Sequence, residues 1–392
     1  MSKVKNVPEI RFKGFSGEWK LFSLGELGSV ATNKRIFIHQ TSLIGDVPFY
    51  KIGTFGREPR LFISQELFED YKKLYPFPEK GDLLFSVIGS IGRVVEYTGE
   101  NEYFQDSNIV WLKHDGAIVN SFLKQFYSIV EWEGIEGSTI KHLYNRTILG
   151  TKIQMPSKEE QTQIGNTFQK LDNLINQHQQ KHDKLSNIKK AMLEKMFPKQ
   201  GETIPEIRFK GFSGEWEEIE LSDEVTFING RAYSQEELLD KGKYTVLRVG
   251  NFYTNSSWYY SDLELGDKYY ADNGDLLYTW SASFGPHIWN GDKVIYHYHI
   301  WKLELSENID KLFLLHLLDY DRAKILSGSN GSTMIHITKS AMEAKKAFIP
   351  KKDEQIVIGN YFQKLDQLIK QHQQQITKLT NIKQACLSKM FV

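Results

Sequence analysis

A stretch of 38 residues, 160–197, reads EQTQIGNTFQKLDNLINQHQQKHDKLSNIKKAMLEKMF and returns at 354–391 as EQIVIGNYFQKLDQLIKQHQQQITKLTNIKQACLSKMF, identical at 26 positions without a gap. A long internal repeat constrains a fold more than any local motif, because each copy has to build the same unit. In the first copy Ile164, Phe168, Leu171, Ile175, His178, His182, Leu185, Ile188 and Met192 recur at steps of three and four, which is one face of an α-helix. Ser157 and Glu160 have the spacing of a capping box just after Pro156, and the next proline is Pro198. The spacing therefore predicts one helix of roughly 40 residues, about 60 Å long. A helix of that length with so thin an apolar stripe needs a partner. The second copy supplies one, with Ile358, Phe362, Leu365, Ile369, Leu379, Ile382 and Met390 in the same rhythm, and the pair reads as an intramolecular antiparallel coiled coil.

The segments before each helix repeat only in part. VPEIRFKGFSGEW (7–19) returns as IPEIRFKGFSGEW (204–216), a short aromatic and glycine-rich framework suited to docking each module on a helix end. Residues 20–80 and 217–273 then diverge, with strand-like runs at 47–52 and 244–249 and helical pieces at 65–74 and 235–241. Likeness resumes at GDLLFSVIGSIGRVV (81–95) against GDLLYTWSASFGPHI (274–288), a buried strand entering a glycine-punctuated loop. Gly89 and Gly92 do not complete a dinucleotide fingerprint, so the loop reads as a strand bend. Each module closes on a Gly-Ser-Thr element, 137–156 and 331–350, ending in a lysine-bearing strand and a proline. Its hydroxyls and backbone N–H groups suit either a phosphate or a helix N-cap. The expected fold class is α+β: two mixed α/β modules, residues 1–156 and 201–350, separated by a pair of long helices, 157–200 and 351–392, in an internal pseudo-twofold repeat. An antiparallel return of the second helix would bring Val392 back to the start of the first module.

Composition narrows the function classes. Hydrophobic residues make up 40% of the chain, enough for real cores, and the net charge is zero. The second module nevertheless carries 15 Lys and Arg against 23 Asp and Glu, a net of −8, which is unlike a generic basic nucleic-acid binder, so any such contact must come from local patches. With no apolar run long enough for a membrane span and a single cysteine, Cys386, a cytoplasmic location is expected. Cys386 aligns with Met192 and reads as a small core residue. No phosphate-binding P-loop, HExxH, CxxC or amino-methyltransferase Pro-Pro-aromatic motif is present. His178 and His182 have metal-pair spacing, but the second copy has His372 with Ile376, so they read as polar seam positions, and no metal site is expected.

Taken together, two dissimilar modules, each introduced by PEIRFxGFxGEW, each containing GDLL and GST, and each ending in PxxxEQxxIGNxFQKLDxLI, with Met155 before the proline in the first and Ile349 in the second, resemble the specificity subunit of type I restriction-modification systems over nearly the whole chain. The resemblance implies two target-recognition domains, each reading one half of a split sequence in double-stranded DNA. It further implies a non-catalytic chain that recruits two modification subunits, which methylate adenine with S-adenosylmethionine, and two restriction subunits, which use ATP and Mg. No cofactor is then expected in this chain itself. The alternative is a coiled-coil scaffold without DNA binding, which predicts inserts lacking clustered Arg, Lys, Asn and Tyr.

Those residue types are clustered. Arg and Lys anchor phosphates, while Arg, Asn and Gln read base edges. The candidate DNA contacts are Lys34, Arg35, Arg57, Arg60, Lys141, Tyr144, Asn145 and Arg146 in the first module, and Arg231, Arg248, Asn251, Tyr253, Ser332, Thr333, His336 and Lys339 in the second. Off the apolar stripe, Gln169, Lys170 and Asp172 are identical to Gln363, Lys364 and Asp366. A solvated face is free to drift between copies, so these six are the candidate partner-binding positions.

Overall fold

The structure is a computed structural model and describes residues 6–137, 141–253, 255–281, 283–328 and 337–392. The chain folds into two units. One comprises Met1–His178 with Gln374–Val392, the other Gln179–Gln373, so the division falls inside both long helices.

The first module runs β1 (Lys20–Ser23), α1 (Leu24–Leu27), β2 (Gly28–Ala31), β3 (Val47–Tyr50), β4 (Leu61–Ile63), α2 (Gln65–Leu74), β5 (Leu83–Ser86), β6 (Val94–Glu96), β7 (Tyr103–Phe104), β8 (Ile109–His114), α3 (Asn120–Ile129), α4 (Asn145–Gly150) and β9 (Lys152–Met155), and leads into α5 (Lys158–Met196). The second runs β10 (Glu217–Glu220), α6 (Leu221–Glu224), β11 (Val225–Asn229), β12 (Tyr244–Leu247), β13 (Tyr259–Ser261), β14 (Tyr270–Ala271), β15 (Leu276–Thr279), β16 (Gly285–Ile288), β17 (Val294–Tyr296), β18 (Ile300–Leu305), α7 (Lys311–Gly328), α8 (Lys339–Glu343) and β19 (Lys346–Ile349), and leads into α9 (Lys352–Met390). The GDLL strands β5 and β15 are buried along their whole length. Residues 235–241, expected to be helical, form only a 3-10 turn at Gln235–Glu237, because Leu239 leaves it to pair with Tyr260.

Both modules follow one plan. An antiparallel sheet β2-β8-β5-β6 answers to β11-β18-β15-β16, and β4-β3-β7 answers to β13-β12-β17-β14 with β14 added. A separate antiparallel ladder, β1 on β9 or β10 on β19, staples the start of each module to the strand that precedes its long helix.

The repeated motifs are the clasps that hold module and helix together. Arg11 grips Glu160 through Nε and Nη2, both at 2.7 Å, and its Nη1 donates to the Gly17 carbonyl. Arg208 repeats this on Glu354, at 2.6 Å twice, and on the Gly214 carbonyl. Next to the glutamate, Gln161 accepts from the Val119 N–H (2.9 Å) and donates to the Pro156 carbonyl (3.0 Å). Gln355 does the same for Asp310 and Pro350, both at 2.8 Å. The capping box is thus only half formed: Ser157 Oγ accepts from the Glu160 N–H at 3.4 Å, but the Glu160 carboxylate goes to the guanidinium. A buried bidentate charge pair holds a carboxylate more strongly than a neutral N–H does.

Within each unit the two long helices pack antiparallel. In the first, Asp172 faces Lys383 (2.6 Å) while Phe391 packs on Phe168, Phe122 and Trp19. In the second, Asp366 faces Lys189 (2.7 Å) and Phe197 packs on Phe362, Phe313 and Trp216. The C-terminal end of α9 lies beside the start of the first module, with the Ile10 N–H donating to the Lys389 carbonyl at 2.9 Å. Cys386 packs half-buried against that unit's core. The repeated glycine of IGN marks a close approach. A Cβ on Gly165 would lie 2.6 Å from Ser121 Cβ, and one on Gly359 would lie 2.7 Å from the Phe313 backbone nitrogen.

One buried group breaks the repeat. His316 of α7 is 1% exposed, neither ring nitrogen has a partner, and Nδ1 lies 3.9 Å from Asp366 Oδ2. Burial, with the nearby Lys189 ammonium adding to it and Asp319 opposing, pushes its pKa down to about 3. Because the unfolded chain binds the proton first, stability is lost as pH falls from about 6.5 toward 3, by about 1.4 kcal/mol per pH unit. Gln125, also buried, holds the matching place in α3. We expect His316→Gln to flatten the dependence of urea unfolding on pH between 6.5 and 4, and an unchanged slope would refute the assignment.

Candidate nucleic-acid interface

In the first module five loops meet at one end of the sheets. After β2, Thr32 Oγ1 donates to the Ile109 carbonyl (3.1 Å) and accepts from the Ser107 N–H (3.0 Å), and Arg35 reaches Asp106 at 2.9 Å. After β3, Gln105 Oε1 accepts from the Ile52 N–H (3.1 Å) and the Phe55 carbonyl accepts from Arg93 (2.9 Å). After β5, the Val87 N–H donates to Asn108 and the Gly89 N–H to the Lys141 carbonyl. The segment 141–146 closes the ring, with the Leu143 N–H donating to Val87 at 2.8 Å.

This arrangement brings Arg35, Arg57, Lys141, Tyr144, Asn145 and Arg146 to one loop cluster, all exposed. Lys34 and Arg60 flank it, Lys34 with its ammonium 4.8 Å over the Tyr75 ring. Tyr144 stacks on His142, and Arg146 lies 5.9 Å over the Tyr144 ring while pairing with Glu136. Among the described residues Lys34, Arg57, Arg60 and Lys141 make no ion pair. The Arg35–Asp106 and Arg146–Glu136 pairs sit at exposed guanidinium groups, where a carboxylate partner is held weakly and a phosphate can replace it. Half-buried Arg93, which donates to the Phe55 carbonyl and so ties two of these loops together, was not singled out from the sequence. Its signal was its place just after the Gly89 and Gly92 bend, both at positive φ, but its role depends on a carbonyl 38 residues away.

The second module is built differently. Arg231 is held by Glu237 through both terminal nitrogens, at 2.6 and 3.0 Å, and the guanidinium depresses the Glu237 pKa to about 2. Asn251 accepts from the Arg248 N–H and donates to the Asn255 and Ser257 carbonyls, so its amide closes its own loop and is not free to read a base. Arg248 lies 4.2 Å over the Tyr259 ring with its buried Nε unpartnered. Tyr253 is exposed, its hydroxyl 3.2 Å from His287 Nε2, and Lys339 pairs with Glu343 at 3.4 Å. Ser332, Thr333 and His336 lie outside the described residues, as do residues 138–140 of the first Gly-Ser-Thr element.

What this module presents instead is aromatic. The Trp280 indole N–H donates to the Tyr298 carbonyl at 2.8 Å, and the rings of Trp280, His297, Tyr298 and His299 crowd together. Burial pushes the pKa values of His287 and His297 down to about 4, so both are neutral at pH 7.

On the helices, Gln169, Lys170 and Lys364 are exposed and Gln363 is half-buried. The Asp172 and Asp366 carboxylates pair with Lys383 and Lys189, so helix pairing is a second reason for their identity between copies. Among the described residues no three His, Cys, Asp or Glu side chains converge as a metal site, and no helix is long and apolar enough to cross a membrane.

Comparison with known proteins places these loops in a family. The family model for the type I restriction modification DNA specificity domain matches the chain twice, over residues 16–187 and 213–381. A putative type I restriction enzyme specificity subunit of Haemophilus influenzae, S.HindORF215P, is 49% identical over 158 residues, 40% of this chain. That match spans only 41% of the Haemophilus protein. The putative type I restriction enzyme MjaX specificity subunit of Methanocaldococcus jannaschii is 25% identical over 74% of this chain and 72% of its own length. The crystal structure of a type I restriction-modification system S subunit from M. genitalium shares the fold, with a TM-score of 0.63 over 98% of this chain and 99% of that one at 18% identity. With both of its repeats matched, the chain belongs to the type I restriction-modification DNA specificity family.

Proposed function

We propose that this chain is the sequence-specific DNA-recognition subunit of a type I restriction-modification complex, each module reading one half of a split target. The observation that carries the reading is the first module's loop cluster, where exposed Arg57, Lys141, Tyr144 and Arg146 converge on one surface. Cations supply phosphate anchoring, and an Arg stacked on a Tyr can present its fork to a base edge. The second module, acidic overall and aromatic at its loops, depends more on its partners for electrostatic attraction.

Chemistry is assigned to those partners: two modification subunits using S-adenosylmethionine to methylate adenine and two restriction subunits using ATP and Mg, with no catalysis in this chain. Expected results separate this from a scaffold that binds no DNA. In duplex binding titrations, Arg57→Ala and Arg146→Ala should each cost about 1–3 kcal/mol. The variant that loses a phosphate contact should also reduce the salt slope by about one. Unchanged affinity for both at physiological salt would reject the interface.

For the modification subunits, the exposed face common to both helices is the proposed dock. Lys170 and Lys364 occupy it, as do Asn166 with Asn360 and Gln177 with Gln371, all exposed. The double charge reversal Lys170→Glu with Lys364→Glu should lower the amount of modification subunit co-purified with the chain, leaving its fold intact. Unaltered stoichiometry would leave the identity to recent duplication alone.

A further inference from the structure

The first module exposes a set of large apolar side chains that no core explains. Phe37, Ile38, Leu43 and Ile44 are 52%, 75%, 78% and 90% exposed, all within one loop between β2 and β3. The loop is not loose chain. It contains a 3-10 turn at Ile38–Gln40, its Ser42 makes two backbone hydrogen bonds with Phe62, both at 2.9 Å, and Gln40 Nε2 donates to Tyr71 at 3.3 Å.

The second module contains the same loop, offset by 197 residues, with its turn at Gln235–Glu237 and its bridge at Leu239 to Tyr260. There the four positions are Ser234, Gln235, Asp240 and Lys241. The backbone plan therefore does not require apolar residues at the tip. Two identical partner subunits meeting the two modules would call for matching surfaces, and these do not match. The ligand that differs between the modules is the DNA each one reads.

Charge around the loop agrees with that ligand. Lys34 and Arg35 stand in the same loop, three and two residues before Phe37, and Arg60 stands two residues before Phe62, to which the loop is tied; Arg35 pairs with Asp106, and Asp46 closes the loop. Cations beside an apolar tip are the composition of elements that hold flanking phosphates while pressing aliphatic or aromatic side chains into a groove. We propose, resting on the DNA-recognition reading, that this loop is an apolar wedge by which the first module enters a groove of its own half-site, Leu43 and Ile44 forming the tip. It gives that module a salt-insensitive component of binding and specificity that the second lacks.

The test exchanges the tip for the second module's residues, Leu43→Asp with Ile44→Lys, which leaves net charge unchanged and alters only exposed positions. Wild-type and variant chains, each in complex with the native partner subunits, are used to select from a randomised duplex library. The wild type should recover a two-part consensus. The variant should keep one half and lose base preference in the other. Its affinity for the wild-type consensus should be about tenfold lower, by the same factor at low and high salt, because no phosphate contact is removed. An unaltered consensus at unaltered affinity overturns the wedge while leaving the DNA reading standing. Loss of a partner subunit with the consensus retained overturns it in favour of protein docking. A wild-type complex that selects no consensus overturns the underlying reading and the wedge with it.

Discussion

Replacing Arg208 by alanine is expected to destabilise the chain by about 3–5 kcal/mol. Glu354 is 1% exposed, and both its carboxylate oxygens receive hydrogen bonds from that one guanidinium. Without it a carboxylate stays buried at the first turn of a 39-residue helix, where the helix N-terminus offsets only a small part of the desolvation cost. The third donor, to the Gly214 carbonyl, is lost as well and releases the GFSGEW loop. Removing both charges together, as Arg208→Met with Glu354→Leu, should cost far less, since no unpaired ion is left behind. Urea unfolding of the three proteins distinguishes the cases: equal costs for single and double variants would mean that the pair does not anchor the module. Arg11 and Glu160, with Glu160 also 1% exposed, should repeat the pattern.

Phe197→Ala should cost about 3–5 kcal/mol, the range for a buried aromatic truncated to alanine. Phe197 is 1% exposed and lies within ring-contact distance of Trp216, Phe313, Tyr320 and Phe362, at 5.2 to 6.2 Å between centroids. It thus joins the end of α5 to the module's helix α7 and to α9. Its repeat counterpart Phe391 touches Trp19, Phe122 and Phe168 at 5.1 to 6.2 Å but is only half-buried. Part of its surface is already in water, so Phe391→Ala should cost less than Phe197→Ala. A calorimetric or urea comparison showing the reverse order would contradict the packing described here.

The long helices were legible because their signal is local. A three-four apolar rhythm unbroken by proline holds whatever surrounds it, and the structure shows 39 helical residues in each copy. The module frame was legible for a related reason: the repeat marks where PEIRFKGFSGEW and PxxxEQ recur, and those are the clasp residues. The strands of GDLL were legible from their continuous apolar run. Candidate DNA contacts were less so. Arg57, Lys141, Tyr144, Asn145 and Arg146 stand exposed, but Arg231 and Asn251 hold their own loops, and residue type alone does not distinguish a free guanidinium or amide from an occupied one.

The sequence by itself determined that two copies of one module-and-helix unit exist, and that Glu160 and Asp172 matter enough to recur at 354 and 366. Only the tertiary structure decided what they do. Glu160 meets a guanidinium 149 residues away, and Asp172 meets Lys383 across the helix pair. Periodicity is set by neighbours within a turn of the chain and survives in the linear text. Which carboxylate is buried against which cation, and which apolar loop stands unburied, depend on closing contacts between segments far apart in sequence, and that information exists only once the chain has folded.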